Sequence, residues 1–224
     1  MKKIHVYFVP GMATNSKIFE HIHLDETMYN VHFIEWKTPS SYEESIEAYA
    51  KRMCSEIMHD QPVLIGVSFG GIVVQEMSKL ISTKKVIIIS SIKSYSELPK
   101  RLRIAQKVKA YNYFPTKIIG NLDTYLSYFS KELFQKQIAA YNKYMSVRNS
   151  SYLKWAAKTV LLWNQEKPLP NCVHIHGTND GIFPAKHIRN YIDIEGGTHT
   201  MILTKAKRIT QEIQSVLTCL NKTK

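Results

Sequence analysis

Residues 62–81 constrain the fold more than any other stretch. Pro62-Val63-Leu64-Ile65 is an apolar run that reads as a buried strand, Gly66-Val67-Ser68-Phe69-Gly70-Gly71 is a turn, and Ile72–Ile81 has helical spacing. A serine on so sharp a strand-to-helix turn projects its hydroxyl above the sheet. The backbone at such a turn is crowded, so the flanking positions must lack side chains. Gly66 and Gly70 meet that need, and Gly71 lets the helix pack closely. Phe69 N–H, at the helix N-terminus, points toward any negative charge that develops beside Ser68. Glycine-rich turns join many strands to helices without chemistry. The strand before and the helix after are what mark Ser68 as a candidate nucleophile.

The flanking chain repeats the same alternation. Lys3–Val9 is β-branched and aromatic and reads as a first strand, followed by the turn Pro10-Gly11-Met12-Ala13-Thr14-Asn15 and a short helix over Ser16–His21. Val31–Trp36 is a second strand, broken by Thr38-Pro39-Ser40-Ser41, and Tyr42–Met58 is a helix capped by Ser40 or Ser41. Lys85–Ser90 is apolar on both faces, as in parallel sheets covered by helices. Asn171–His176 and Tyr191–Ile194 are later strands, and a helix over about 203–220 closes the chain. The class is therefore α/β, in one domain at 224 residues.

The two strands ending near residues 90 and 176 are separated by about 80 residues, well beyond an ordinary crossover. Leu98, Leu102, Ala105, Val108 and Tyr111 fall on one helical face, and Leu122, Leu126, Phe129, Leu133, Phe134, Ile138, Tyr141 and Met145 continue in helical spacing. Tyr152, Trp155, Ala156, Val160 and Trp163 form a last helix that returns to the sheet. The expectation is a helical lid inserted at about 94–155.

Charge is concentrated in this insertion. Residues 93–158 hold thirteen Lys or Arg against three Asp or Glu, most of the chain's net +12. A basic helical segment suits an anionic part of a small-molecule substrate, peripheral contact with an anionic membrane, or simply a solvated face. Nucleic acid has only the charge in its favour, since no binding motif is present, and none is expected as a partner. No apolar run reaches the length of a membrane span. The start reads as a Lys-flanked strand rather than a signal peptide. Cys54, Cys172 and Cys219 are odd in number and widely spaced, which suits reduced thiols in a cytoplasmic protein.

A serine hydroxyl needs a histidine base, and that base needs a carboxylate to hold its tautomer. Functional residues of parallel sheets gather beyond the carboxyl ends of strands. Ser68, Asp180 and His199 each stand just past the end of a predicted strand, in the order Ser, Asp, His. Asp193 lies inside a strand, and Asp25 is not near a strand end. His174 and His176 share a strand face and could suggest a metal pair, but no third ligand is sensibly spaced, so packing beside the site accounts for them better.

These motifs resemble the α/β-hydrolase fold family, and the resemblance covers almost the whole chain. The elbow matches Gly66–Gly70, the acid motif His176-Gly177-Thr178-Asn179-Asp180, and the base loop Gly196-Gly197-Thr198-His199. The resemblance implies oxyanion donors at Met12 N–H and Phe69 N–H. Pro10 departs from the histidine many relatives carry there, and the family's first antiparallel strands are missing. A sheet of six parallel strands in the order 2-1-3-4-5-6 is expected.

What the resemblance implies is acyl transfer to water with no cofactor and no metal. The expected activity is a serine hydrolase of carboxylic esters or thioesters acting on a small-molecule acyl substrate. Two alternatives share the motifs. One is triad-dependent carbon–carbon cleavage or elimination on a carboxylate. The other is a non-catalytic binding protein on the same fold, which would have no need of all three residues.

Overall fold

The computed structural model describes residues 3–113, 143–144, 147 and 149–222. Of the helices expected over Leu122 to Met145, all but residues 143 and 144 lie outside the described residues, and so does about half of the expected lid.

Six strands form one sheet: β1 (Ile4–Val9), β2 (Tyr29–Phe33), β3 (Val63–Val67), β4 (Lys85–Ile89), β5 (Cys172–Gly177) and β6 (Ile192–Ile194). Their order is β2-β1-β3-β4-β5-β6. Every pairing is parallel, so all the carboxyl ends lie on one edge. This is the order and direction expected from the sequence. The central strand β3 is buried at every position, which is why its sequence is apolar rather than alternating.

Helices cover both faces. The core on one side joins Val73 and Met77 of α2 (Phe69–Leu80) to Tyr49 and Met53 of α1 (Ile46–Cys54) and to Trp155 of α4 (Ser150–Leu162). The other side packs Ile209, Ile213 and Leu217 of α6 (Ala206–Lys222) on Val6, Phe8 and Ile65. α1 is shorter than the expected 42–58. Its N-cap is Ser45, whose side chain accepts from Ala48 N–H, while the earlier Ser40 and Ser41 lie in an irregular turn. The expected C-terminal helix is split at Lys205 into α5 (Met201–Thr204) and α6.

Parts of the basic insertion are also described. α3 (Lys100–Lys107) buries none of its residues, and Val108 is exposed rather than inward-facing. The helix has ended by then, and Lys109 takes φ 53°, so helical periodicity no longer sets which face Val108 occupies. The boundary expected near residue 155 falls inside α4. Tyr152, Leu153 and Trp155 of that helix belong to the central core. Trp155 Nε1 donates to Glu44 O at 2.8 Å and Trp163 Nε1 to Glu76 Oε1 at 2.7 Å, tying α4 to the α1 and α2 layer.

The elbow leaves no room for side chains. A Cβ on Gly66 would stand 2.2 Å from Gly70 O, and one on Gly70 would stand 2.2 Å from Pro10 O. Both contacts are with backbone, which cannot swing away. Gly70→Ala is therefore expected to cost about 3 kcal/mol or more. Its urea midpoint should drop sharply, and a midpoint equal to the parent's would contradict this packing.

Candidate active site

Ser68 sits between β3 and α2 with φ 52° and ψ −116°, a backbone conformation that L-residues avoid. Three hydrogen bonds hold it there. Its N–H donates to Ile89 O at 2.8 Å, its carbonyl accepts from Gly71 N–H at 2.9 Å, and Ser91 Oγ donates to the same carbonyl at 2.7 Å. Ser91 follows β4, so the neighbouring strand's end props the elbow from the side. Nothing local in the sequence singles out Ser91; its role arises because β4 lies beside β3 in the sheet.

The structure brings Ser68, His199 and Asp180 together. Ser68 Oγ lies 2.9 Å from His199 Nε2. On the other side of the ring, His199 Nδ1 lies 2.9 Å from Asp180 Oδ2 and 3.1 Å from Oδ1. With Nδ1–H donating to the carboxylate, Nε2 is left to accept the serine proton. Asp180 also accepts from Ile182 N–H at 2.8 Å and Phe183 N–H at 2.9 Å, both through Oδ1. Its side chain is fully buried. Burial pushes the carboxyl pKa up, but the His199 hydrogen bond and charge, the Phe183 N–H and nearby His176 outweigh it, and the net shift is downward. The acid therefore stays ionised.

Behind Asp180 lies a line of buried histidines. His176 Nε2 donates to Phe183 O at 2.8 Å and sits 3.8 Å from Asp180 Oδ2. That fixes its tautomer, so Nδ1 accepts from His174 Nε2–H at 3.1 Å. His174 Nδ1 has no partner among the described residues. Burial lowers the pKa of both rings, with their mutual repulsion adding to the effect at His174 and the Phe183 carbonyl and Asp180 partly opposing it at His176. Both are neutral, and they pack behind the site as the sequence suggests.

Other contacts position the loops. Asn179 N–H donates to Gly197 O at 2.9 Å, and Gly196 N–H to Thr178 Oγ1 at 2.8 Å, locking the acid loop to the base loop. Arg101 of α3 donates to Gly181 O and, at 3.0 Å, to Ile182 O. Neither contact has a local signal: Thr178 sits inside the acid motif with nothing to mark it as a partner of Gly196, and Arg101 reads only as one of the insertion's many basic residues. Gly11 lies against Ser68, where a Cβ would come 3.7 Å from Ser68 Cβ. The Gly11 carbonyl is pinned by Trp36 Nε1 at 2.9 Å and Thr14 Oγ1 at 2.8 Å. Met12 and Phe69 both line the cavity that Ser68 faces. Asp193 and Asp25 take no part in this arrangement. Cys54 and Cys172 are half-buried thiols whose pKa burial pushes up to about 11 and about 12, which leaves them poor nucleophiles.

Ser68 and His199 open onto a cavity of about 720 Å³. Met12, Leu102, Val160, Leu161 and Phe183 are among its walls, and no Lys or Arg lines it among the described residues. The hydroxyl therefore faces an apolar chamber with a polar floor.

A parallel sheet in this order, with Ser, Asp and His beyond three strand ends, defines the α/β-hydrolase fold. Solved structures of that fold match along nearly the whole chain. An esterase from Exiguobacterium antarcticum is 15% identical with a TM-score of 0.67, covering 96% of this chain and 91% of that one. A bromoperoxidase from Bacillus anthracis is 15% identical with a TM-score of 0.66, covering 97% and 92%. An inhibitor-bound epoxide hydrolase from Bacillus megaterium is 15% identical with a TM-score of 0.62, covering 97% and 94%. No curated protein matches by sequence. The chain belongs to the uncharacterised protein family UPF0227, whose model matches residues 11–201. Among the described residues, no helix is long and apolar enough to cross a membrane.

The depressed histidine pKa values give a testable pH dependence. Below about pH 6.5 unfolded histidines take up protons that folded His174 and His176 do not. The unfolded state then binds more protons, so stability falls as pH drops from about 7 to 5. Asp180 adds a separate loss at lower pH, as the medium passes from its unfolded to its folded pKa. In urea denaturation between pH 7 and 5, His174→Gln, which keeps an N–H donor for His176, should flatten the slope. An unchanged slope would refute the buried neutral state.

Proposed function

We propose that the protein is a serine hydrolase that cleaves a carboxylic ester or thioester through an acyl-enzyme. The observation that carries this reading is the unbroken run Ser68 Oγ–His199 Nε2 at 2.9 Å and His199 Nδ1–Asp180 at 2.9 Å, set in the wall of an apolar cavity. The esterase among the similar structures supports it.

The chemistry follows from the atoms. Ser68 Oγ attacks the acyl carbon as its proton passes to His199 Nε2. Asp180 stabilises the imidazolium that forms, without taking the proton. The Met12 and Phe69 N–H groups, the latter at the start of α2, hold the developing oxyanion. His199 then protonates the leaving alcohol or thiol. Water activated by His199 attacks the acyl-enzyme and releases the acid, and the proton returns to Ser68. No step calls on a cofactor.

The cavity argues for the acyl side of the substrate. Its apolar walls suit a hydrocarbon chain, and the absence of lining cations among the described residues gives a buried carboxylate no partner. Carbon–carbon cleavage of a carboxylate substrate therefore has less support than ester or thioester hydrolysis. The basic surface of α3 lies at the rim, where an anionic leaving group could rest in solvent.

Three variants test the reading with acyl esters and thioesters of graded chain length. Ser68→Ala should abolish turnover and labelling by a fluorophosphonate probe. Asp180→Asn should lower kcat by about 10³–10⁴-fold, because the imidazole is left in the wrong tautomer. Ala157→Trp, on the cavity wall, should shift preference to shorter acyl chains while retaining activity on the shortest ester. A parent enzyme that neither turns over any member nor takes the probe would refute the proposal.

A further inference from the structure

At the opposite end of the sheet from Ser68 is a second cluster of chemistry-bearing side chains. His5 is the second residue of β1, His32 lies in β2, and His59 lies in the loop that leads into β3. One ligand nitrogen from each ring falls within 4.8 Å of the other two. His5 Nδ1 and His32 Nε2 are 3.0 Å apart. His59 stacks on His5 with ring centroids 3.4 Å apart and planes 9° apart. All three rings are only partly buried, and His59 borders a surface cleft of about 660 Å³ that gives a route from solvent.

We propose that His5, His32 and His59 bind a zinc-class divalent cation, with a water in the fourth position. Imidazole nitrogens suit zinc, with copper and nickel as competitors. Tetrahedral coordination with Zn–N near 2.0–2.1 Å places ligand nitrogens about 3.4 Å apart. The His5–His32 pair is already near that spacing. His59 now lies parallel to His5, so its ring must tilt out of that stack for its in-plane lone pair to meet the cation. The arrangement also has an outer partner. Tyr7 Oη lies 2.6 Å from His59 Nδ1 and stacks on His32 with centroids 4.5 Å apart. With Nδ1 engaged by Tyr7, Nε2 is the nitrogen that His59 offers a cation. The Tyr7 oxygen also accepts from Met58 N–H at 3.2 Å, so the ring and its loop are held together.

The rings must supply lone pairs. One proton lies between His5 Nδ1 and His32 Nε2. On binding, it moves to the outer nitrogen of the ring that carries it, and the cation takes its place; no oxidant or other reactant is needed.

Such a cation would tie together three segments that are distant in sequence. β2 is an edge strand, held on one side by β1 alone. A metal joining β1, β2 and the loop before β3 clamps that edge to the sheet. The site is structural. It takes no part in the proposed hydrolysis and does not depend on it.

The test uses the full chain without an affinity tag, stripped with a chelator. Titration with Co²⁺ should give visible absorption of a four-coordinate site that saturates at one equivalent and is bleached by Zn²⁺. His59→Ala and His32→Ala should each weaken Zn²⁺ binding by at least about tenfold, while a His21→Ala/His23→Ala control should leave it unchanged. Zn²⁺ should raise the melting temperature of the parent but not of His59→Ala. That loop variant keeps the test available if His32→Ala, inside the sheet, fails to fold. Zn²⁺ affinity equal in the parent and His59→Ala, or no saturable single equivalent, would overturn the proposal. Ester hydrolysis by the stripped protein should match the untreated enzyme, and dependence of turnover on the metal would overturn the structural role assigned here.

Discussion

The left-handed backbone of Ser68 is the constraint on which the rest depends. At φ 52° the residue is strained by about 1–3 kcal/mol. The strain persists because the surroundings leave no alternative. Ile89 O, Gly71 N–H and Ser91 Oγ fix both ends of the peptide. Gly66 and Gly70 let the chain fold back on itself and on Pro10. The contact between Gly70 and Pro10 has a second effect, since it draws the loop after β1 against the start of α2. Met12, in that loop, and Phe69, at the start of α2, are thereby brought to the cavity that Ser68 faces.

Electrostatics continues the line away from Ser68. A carboxylate buried as fully as Asp180 would ordinarily take up a proton. Two backbone N–H groups and the His199 ring keep it charged. His176 closes the back of this pocket, spending its own N–H on the Phe183 carbonyl. Phe183 is therefore engaged through both its N–H, to Asp180, and its carbonyl, to His176. A single residue of the acid loop thus orients both the carboxylate that meets the imidazole and the histidine behind that carboxylate.

The two ends of the sheet have different characters. Beyond the carboxyl ends, loops converge on an apolar cavity with a polar floor. Near the amino ends of β1 and β3, three imidazoles and a tyrosine stack against one another. Both arrangements use the same property of parallel strands. Side chains at neighbouring positions on β1 and β2 face the same way, and residues in the connecting loops are delivered to one edge.

Much of this was legible in the sequence. The apolar run before Gly66 marks a central strand because a strand covered on both faces has no polar side. Gly66, Ser68 and Gly70 mark the elbow because only that spacing relieves its crowding. Asp180 and His199 were found by their places after two strands. Other features needed the fold. Ser91 acts on Ser68 only because β4 lies beside β3. Trp155 lies in the core, as expected of a helix returning to the sheet, but its bond to the Glu44 carbonyl exists only because α4 packs over the approach to α1. His5, His32 and His59 carry no spacing signal, since they meet through strand pairing and a loop. Amino-acid order alone determined which strands exist, where the turn must bend and which three residues could act together, because those follow from local sterics and hydrophobic periodicity. The tertiary structure decided which distant groups share a pocket or a cluster, because sheet order and register set distances that no local pattern encodes.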